Sequence, residues 1–178
     1  INCLPIEYIA GKMMLVRSMV MGWDLKFFPI SSEPIKKISS VYDFVALTPM
    51  QLEKSLDKIK YVKTVIVGGS PVSYDLRQKI LKIGSKVYET YGMTETITHI
   101  AARCLSKNED KFSALPGVEF FEFNGCLAIN TQHLSSELIK TNDVVKLHSS
   151  KQFSWIGRKD FIINSGGIKI NPEEIETK

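Results

Sequence analysis

The chain has 178 residues, of which 44% are hydrophobic and 24% charged, and its formal net charge is +4. This length allows a globular domain with its own core, and no apolar run approaches the roughly 18 residues expected of a membrane-spanning helix. The 23 Lys and Arg residues are spread along the sequence, whereas nucleic-acid-binding proteins concentrate them in patches. We therefore expect a cytoplasmic protein with no membrane span and no nucleic-acid partner.

Residues 1–92 alternate between helical and strand-like patterns. Apolar residues recur at Ile9, Met13, Val16 and Val20, a spacing that predicts one face of a helix within residues 4–23. Arg17 would project from near that face. Strands are predicted at 25–30, 44–47, 64–67 and 86–91, and helices at 33–39, 49–56 and 73–83. Strands separated by such helices predict βαβ units and a parallel sheet.

The pattern changes after residue 92. Strand-like runs follow without helices between them, at 97–103, 118–123, 126–130, 144–147, 153–156 and 161–163. Asn124 and Gly125 predict a type I′ hairpin turn, because both residues tolerate a positive φ. The sequence thus predicts an α/β fold, a βαβ layered sheet followed by a β-rich, distorted barrel-like subdomain. We expect the divisions at 1–92, 93–158 and 159–178.

Two polar runs contain residue types that suit a nucleotide site. Residues 91–96 combine the ring of Tyr91, the flexible Gly92, two threonine hydroxyls and the carboxylate of Glu95. Hydroxyls can donate to phosphate, carboxylates suit Mg²⁺, and glycine allows close approach of the backbone. An ordinary strand-end turn with a helix cap explains the same run equally well. The second run, around Gly157 and Arg158, is also compatible with a simple hairpin.

Four motifs, in order, resemble the adenylate-forming superfamily of acyl-CoA synthetases, peptide-synthetase adenylation domains and luciferases. They are Leu-Pro-Ile-Glu-Tyr-Ile-Ala-Gly at 4–11, Gly-Gly-Ser-Pro-Val-Ser at 68–73, Tyr-Gly-Met-Thr-Glu at 91–95, and Gly-Arg-Lys-Asp at 157–160, which continues to Pro-Glu-Glu-Ile-Glu at 172–176. The resemblance implies the large domain of that superfamily, with ATP, Mg²⁺ and CoA as ligands. We expect an internal fragment that is inactive alone, because the superfamily's phosphate loop and C-terminal lysine are absent from this sequence.

The resemblance also implies roles for individual residues. Thr94 would contact the α-phosphate and Glu95 would hold Mg²⁺. Asp143 would bind the ribose although Asn142 replaces the superfamily's glycine, and Arg158 would reach the ribose as well. Asp160 would be the hinge of a small C-terminal domain. The adenine would lie between the ring of Tyr91, next to Gly92, and a loop formed by Gly68, Gly69, Ser70 and Pro71.

The first helix is most similar to that of the o-succinylbenzoate–CoA ligases, which carry an Arg six residues beyond the last glycine of the first motif, as Arg17 lies beyond Gly11. A guanidinium suits a second carboxylate on the substrate, and an Arg that reaches solvent is the alternative. Further candidates for the acid site are Tyr8, Thr96 and His99, although a histidine in a strand-like run is often structural.

The implied function is ATP-dependent ligation of o-succinylbenzoate to CoA, a step of menaquinone biosynthesis. Another acyl- or aryl-CoA synthetase, or an adenylation domain that loads a carrier protein, would keep every nucleotide motif and differ only in the acid site. A non-catalytic nucleotide-binding protein is a third possibility. The sequence does not indicate the oligomeric state.

Overall fold

The computed structural model describes residues 1–161, 163–165 and 168–170. Its helices are α1 (Ile9–Met21), α2 (Pro49–Lys54), α3 (Leu56–Ile59) and α4 (Tyr74–Ile80). Its strands are β1 (Tyr42–Leu47), β2 (Val62–Val67), β3 (Lys86–Gly92), β4 (His99–Cys104), β5 (Phe112–Ala114), β6 (Val118–Phe123), β7 (Cys126–Thr131), β8 (Ile139–Lys140), β9 (Asp143–Ser149), β10 (Gln152–Arg158), β11 (Ile163–Ser165) and β12 (Ile168–Ile170). Among these helices, none has the length and apolar character needed to cross a membrane.

A mixed sheet of seven strands, in the order β1-β2-β3-β4-β5-β10-β9, forms the centre of the fold. Strands β1, β2 and β3 are parallel, and helices α2, α3 and α4 connect them as the predicted βαβ units. From β3 onward each neighbouring pair is antiparallel. The sheet therefore continues through residue 92, where the sequence pattern changes.

Capping residues mark where helices α2 and α4 begin between the parallel strands. Thr48 caps α2, accepting a hydrogen bond from Gln51 N at 3.2 Å while the Gln51 side chain accepts one from Thr48 N at 3.1 Å. Pro49 fits the first turn because its missing N–H would have no helical partner there. Ser73 caps α4 in the same way, through Leu76 N at 3.3 Å. These caps fix where each helix leaves the carboxyl end of the preceding strand.

A separate three-stranded antiparallel sheet, β6-β7-β8, packs beside the second half of the large sheet. Its hairpin turn has φ values of 53° at Asn124 and 76° at Gly125, which confirms the turn predicted from these two residues. Phe120 and Ile129 from this sheet share a buried cluster with Phe112 and Phe153 from the large one. The α/β fold class with a β-rich second part is therefore confirmed.

Two predicted elements are wrong. Residues 25–30 form no strand, and Phe27 makes only an isolated bridge to Asn2, since Pro29 cannot donate to a ladder. Residues 33–39 form turns instead of a helix. Ile35 and Ile38, 0% and 4% exposed, are both buried in the first core. A spacing of three residues is satisfied by a turn as well as by a helix.

The helix predicted within residues 4–23 is α1, but the residues that gave the helical spacing are not the ones that α1 buries. Ile9 and Val20 are 48% and 77% exposed, whereas Gly11, Met14 and Ser18 are buried. Most sides of α1 are apolar, so periodicity does not select one of them. A Cβ at Gly11 would lie only 2.2 Å from the Pro5 carbonyl oxygen, so the glycine decides which side packs inward.

Strands β11 and β12 form an antiparallel pair in which Ile163 is opposite Ile170. Gly166 and Gly167, a pair typical of a two-residue hairpin turn, lie outside the described residues. The same is true of residues 171–178, where acidic residues after Pro172 are typical of a helix start and which contain the last part of the fourth motif.

Candidate functional site

A cavity of about 410 Å³, the first cavity below, opens at the carboxyl ends of β2 and β3. This edge of a parallel sheet is where open α/β folds bind ligands, and the volume lies within the range of small-molecule sites. Eight of the ten residues predicted for the nucleotide site line this cavity. Those that line it are Gly69, Ser70, Pro71, Tyr91, Gly92, Glu95, Asp143 and Arg158.

Asp143 is the centre of a hydrogen-bond cluster in the first cavity. The Tyr91 hydroxyl donates to its Oδ2 and Trp155 Nε1 donates to its Oδ1, the latter at 3.2 Å. Burial, and next the negative charge of Asp143, raises the pKa of Tyr91 far above its usual value, so Tyr91 stays a donor. Its ring packs against Phe153 at 5.1 Å. The cluster therefore presents a fixed aromatic wall beside a carboxylate.

The loop after β2 closes one side of the first cavity. Gly69 has a φ of 92°, a conformation that few other residues adopt. A Cβ at Gly68 would lie 2.6 Å from Thr90 Oγ1, so this glycine allows the loop to pass close to β3. At the far end of the loop, Val72 N donates to Glu89 Oε1 at 3.2 Å. The loop backbone is thus held on both sides of Ser70.

Thr94, Glu95 and Thr96 form a short 3₁₀ turn directly after β3. Thr96 is fully buried, and its hydroxyl accepts a hydrogen bond from Met93 N at 2.9 Å. Thr94 and Glu95 are exposed as a result. Glu95 faces the first cavity, and one carboxylate combined with phosphate oxygens is a ligand set that Mg²⁺ commonly uses. Within the described residues, no group of three or more His, Cys, Asp or Glu side chains could hold a metal without such a partner.

A second cavity, of about 360 Å³, lies between α1 and the same edge of the sheet. Its lining is largely apolar and includes Leu4, Met13, Leu47, Ile66 and Ile97. This lining suits a ligand with an apolar body and a few polar groups.

The polar end of the second cavity consists of Arg17, Thr98 and His99. Arg17 Nη2 donates to Thr98 Oγ1 at 3.3 Å and lies 3.2 Å from His99 Nδ1. Burial, and next the charge of Arg17, lowers the pKa of His99 to about 4. Burial also lowers the pKa of Arg17. Neutral His99 therefore accepts from Arg17, and among the ion pairs of the described residues none neutralises this guanidinium.

The two cavities adjoin each other. Gly69, Thr90, Gly92 and Met93 line both of them. A Cβ at Gly92 would lie 2.6 Å from the Thr98 carbonyl oxygen, so glycine is required where β3 passes the turn. A single molecule with a nucleotide part and an apolar part could therefore occupy both cavities across this shared wall.

The structure does not bring every predicted residue to a cavity. Tyr8 is 70% exposed and lines neither cavity. Thr96 is buried within the 3₁₀ turn and lines neither cavity. Gly68 and Thr94 line only the second cavity. Asp160 lies beside the first cavity, where it accepts from Asn142 Nδ2 at 3.2 Å and approaches Arg158 to 3.6 Å.

Sequence reasoning missed several residues that line the cavities. In the first cavity these are Glu89, Arg103, Lys140 and Trp155, and in the second Thr98. Alternation along β3 could have indicated Glu89, because positions 87, 89 and 91 share one face of a strand. Trp155 reaches Asp143 on the paired strand β9, and Lys140 lies over the ring of Phe123. No spacing in the sequence indicates either contact.

Comparisons with known proteins agree with the motifs. No protein-family profile matches the chain. A 2-succinylbenzoate–CoA ligase from Haemophilus influenzae is 26% identical over 97% of the chain, and the chain spans only 42% of that relative. A solved AMP-forming acyl-CoA synthetase/AMP-acid ligase II-like protein from Dyadobacter fermentans matches 98% of the chain at 37% identity with a TM-score of 0.83, and the chain covers 52% of it.

An o-succinylbenzoate coenzyme A synthetase from Bacillus subtilis, solved with ATP and a magnesium ion, has a TM-score of 0.80 at 20% identity, with 98% of this chain and 44% of that chain covered. The predicted resemblance to AMP-forming acid–CoA ligases is thus confirmed in sequence and in fold. The chain spans less than half the length of the curated relative and about half of the Dyadobacter chain.

Proposed function

We propose that the natural protein activates a carboxylic acid with ATP and transfers the acyl group to CoA. The observation that carries this proposal is the pair of adjoining cavities, one with nucleotide-binding residue types and one that is apolar. An acyl-adenylate has these two parts, joined at one phosphate. The shared wall at Thr90, Gly92 and Met93 is where that junction would lie.

In the first cavity, the adenine would lie between Tyr91 and the loop around Ser70, and the ribose hydroxyls would donate to Asp143. Arg158 would approach the ribose from the end of β10. Glu95 would hold Mg²⁺, which neutralises phosphate charge when it is bound. Thr94 would donate to the α-phosphate at the boundary between the cavities. The magnesium and ATP in the Bacillus structure support this assignment through the shared fold.

For the acid, we propose 2-succinylbenzoate. It carries two carboxylates on an apolar body, and the second cavity offers an apolar lining with Arg17 at its polar end. The guanidinium would bind one carboxylate through two charge-assisted hydrogen bonds, while the other carboxylate reaches the shared wall. The names of the relatives support this choice among acids.

The reaction would have two steps. A carboxylate oxygen attacks the α-phosphorus, and the bond to pyrophosphate breaks. The CoA thiol then attacks the acyl carbon and AMP leaves. We further propose that residues 159–178 begin a small domain that turns at Asp160 between the steps. Asp160→Pro should then spare adenylate formation and slow thioester formation, and equal loss in both steps would contradict the hinge.

The test is ATP–pyrophosphate exchange by the protein in its natural full length. 2-Succinylbenzoate would be compared with benzoate, a medium-chain fatty acid and several amino acids. Exchange driven by 2-succinylbenzoate alone is the expected result. Exchange with a different acid would keep the adenylation chemistry and refute the substrate. ATP binding without any exchange would instead support a non-catalytic nucleotide-binding protein.

A further inference from the structure

A buried ion pair lies under the loop of the first cavity. Glu89 on β3 and Arg103 on β4 are directly opposite each other in the strand register. Arg103 Nη2 lies 2.7 Å from Glu89 Oε2, and Arg103 Nε donates to the same oxygen at 2.8 Å. The side chain of Arg103 is 13% exposed and that of Glu89 is 6% exposed. Both line the first cavity, although nothing in the proposed reaction uses them.

The second oxygen of Glu89 holds the loop. Oε1 accepts from Val72 N at 3.2 Å, in a buried hydrogen bond. At the other end of the loop, Gly68 N donates to the Leu47 carbonyl at 3.3 Å. Between these two points the chain turns through Gly69 at positive φ. The height of the loop above the first cavity therefore depends on where the carboxylate of Glu89 lies.

The guanidinium of Arg103 holds the opposite wall. It lies 4.5 Å from the centre of the Phe112 ring, an attractive cation–π geometry. Phe112 in turn lies 5.9 Å from the ring of Tyr91. Arg103 Nη1 also donates to the Asp110 carbonyl at 3.0 Å. One ion pair thus connects the loop with the aromatic wall across the cavity.

We infer that Glu89 and Arg103 are positioning residues that set the distance between this loop and Tyr91, and with it the fit of a flat, uncharged ring such as a nucleobase. This inference rests on the proposed nucleotide site. Burying an ion pair brings little net stability compared with apolar side chains. A role in stability alone therefore gives no reason for a pair that connects the two walls of a cavity.

The test compares Glu89→Gln, Arg103→Met and the double variant, each in a Trp23→Phe background. Trp155 then becomes the single tryptophan of the chain, and it lines the first cavity. Its fluorescence would report titration with ATP. Arg77→Met is the matched control, because Arg77 pairs with Asp110 at 2.8 Å but does not line the cavity.

Each single variant should raise the Kd for ATP by about tenfold or more, since a misplacement near 1 Å is costly at a binding site. The Kd of the double variant for ATP should exceed that of the weaker-binding single variant by no more than about threefold, because both changes break the same connection. Arg77→Met should stay within about twofold of the parent. In the full-length protein, the KM for the acid should be unchanged while the KM for ATP rises.

Three results would overturn the inference: an unchanged Kd for ATP in folded variants, additive losses in the double variant, or an equal rise in the KM for the acid. If Arg103→Met does not fold, Arg103→Lys keeps the charge without the paired contact and should show the same loss of ATP affinity. A full-length parent protein that binds no ATP would refute the proposed nucleotide site itself. Parent binding with unaffected variants would refute only the positioning role.

Discussion

Arg17 gives the sharpest test of the proposed acid site. Replacing Arg17 by Met keeps a long, flexible side chain in α1 but removes the guanidinium donors at the polar end of the second cavity. Among the described residues the guanidinium has uncharged hydrogen-bond partners, Thr98 at 3.3 Å, His99 at 3.2 Å and the Met14 sulfur at 3.7 Å. A carboxylate that enters the cavity would gain a charged partner, and in Arg17→Met it would be buried without one.

The expected loss follows from the strength of charge-assisted hydrogen bonds, about 2–3 kcal/mol for this kind of contact. Converted at about 1.4 kcal/mol per factor of ten, this raises the KM for 2-succinylbenzoate by about 30- to 150-fold. Arg17→Lys keeps the charge but loses the paired geometry. We expect the KM of Arg17→Lys for 2-succinylbenzoate to lie between those of the parent protein and Arg17→Met.

The assay is initial-rate ATP–pyrophosphate exchange by the full-length protein over a range of acid concentrations. The KM for ATP should stay within about twofold, because Arg17 does not line the first cavity. Lys12→Met, at an exposed position of the same helix, provides the protein control. An unchanged KM for 2-succinylbenzoate in Arg17→Met, or an equal rise in the KM for ATP, would refute the assigned role.

Three further predictions concern residues 92–99. Because the pKa of His99 is lowered to about 4, the unfolded chain binds its proton first, and the free energy of unfolding should fall as pH drops from about 6.5 to 4, by on the order of 3 kcal/mol. His99→Asn should not show this part of the fall in the free energy of unfolding. If urea unfolding gives the same pH dependence for His99→Asn and the parent protein, the prediction is wrong. Gly92→Ala should destabilise by about 1–3 kcal/mol, since its Cβ would meet Thr98 and His99 backbone atoms within 3.0 Å. Gly84→Ala, with open space around it, is the control, and equal melting temperatures for the two variants would refute the packing argument. Ile97 has a φ of 63°, so Ile97→Gly should be more stable than Ile97→Ala by about 1 kcal/mol in urea unfolding, and the opposite order would show that the turn does not require this conformation.

The parallel half of the fold was readable because its signals are local. Strands β1, β2 and β3 are short apolar runs, and the helices between them begin at Thr48 and Ser73, residues that cap helices through their own hydroxyls. The errors fall where local signals conflict with packing. The segment at 33–39 has helical spacing, but its two isoleucines are already buried by a turn.

For the first cavity, the sequence predicted only residues that belong to motifs of the superfamily. The motifs contain Tyr91 and Glu95, and the structure places both at one cavity. They do not contain Trp155 or Arg103, whose partners are brought close by strand pairing across the sheet. The motif around Tyr8 also misleads, because its glycine, Gly11, packs α1 against Pro5 while the Tyr8 ring faces outward. A motif indicates which residues belong together, and the register decides which of them touch.

The segment from Gly92 to His99 explains how one short stretch of chain serves both cavities. Glu95 faces the first cavity, and Thr94, Ile97 and His99 face the second. Thr98 N donates to the Thr96 carbonyl, which forces Ile97 into a conformation that costs about 1–3 kcal/mol. The hydroxyl of Thr96 accepts from Met93 N, and the backbone of Thr98 packs closely against Gly92. Both contacts hold the backbone on either side of Ile97. In the proposed reaction Thr94 would lie at the junction of the two cavities whichever acid occupies the second one. Changes of acid specificity should therefore come from substitutions of Arg17 and its neighbours.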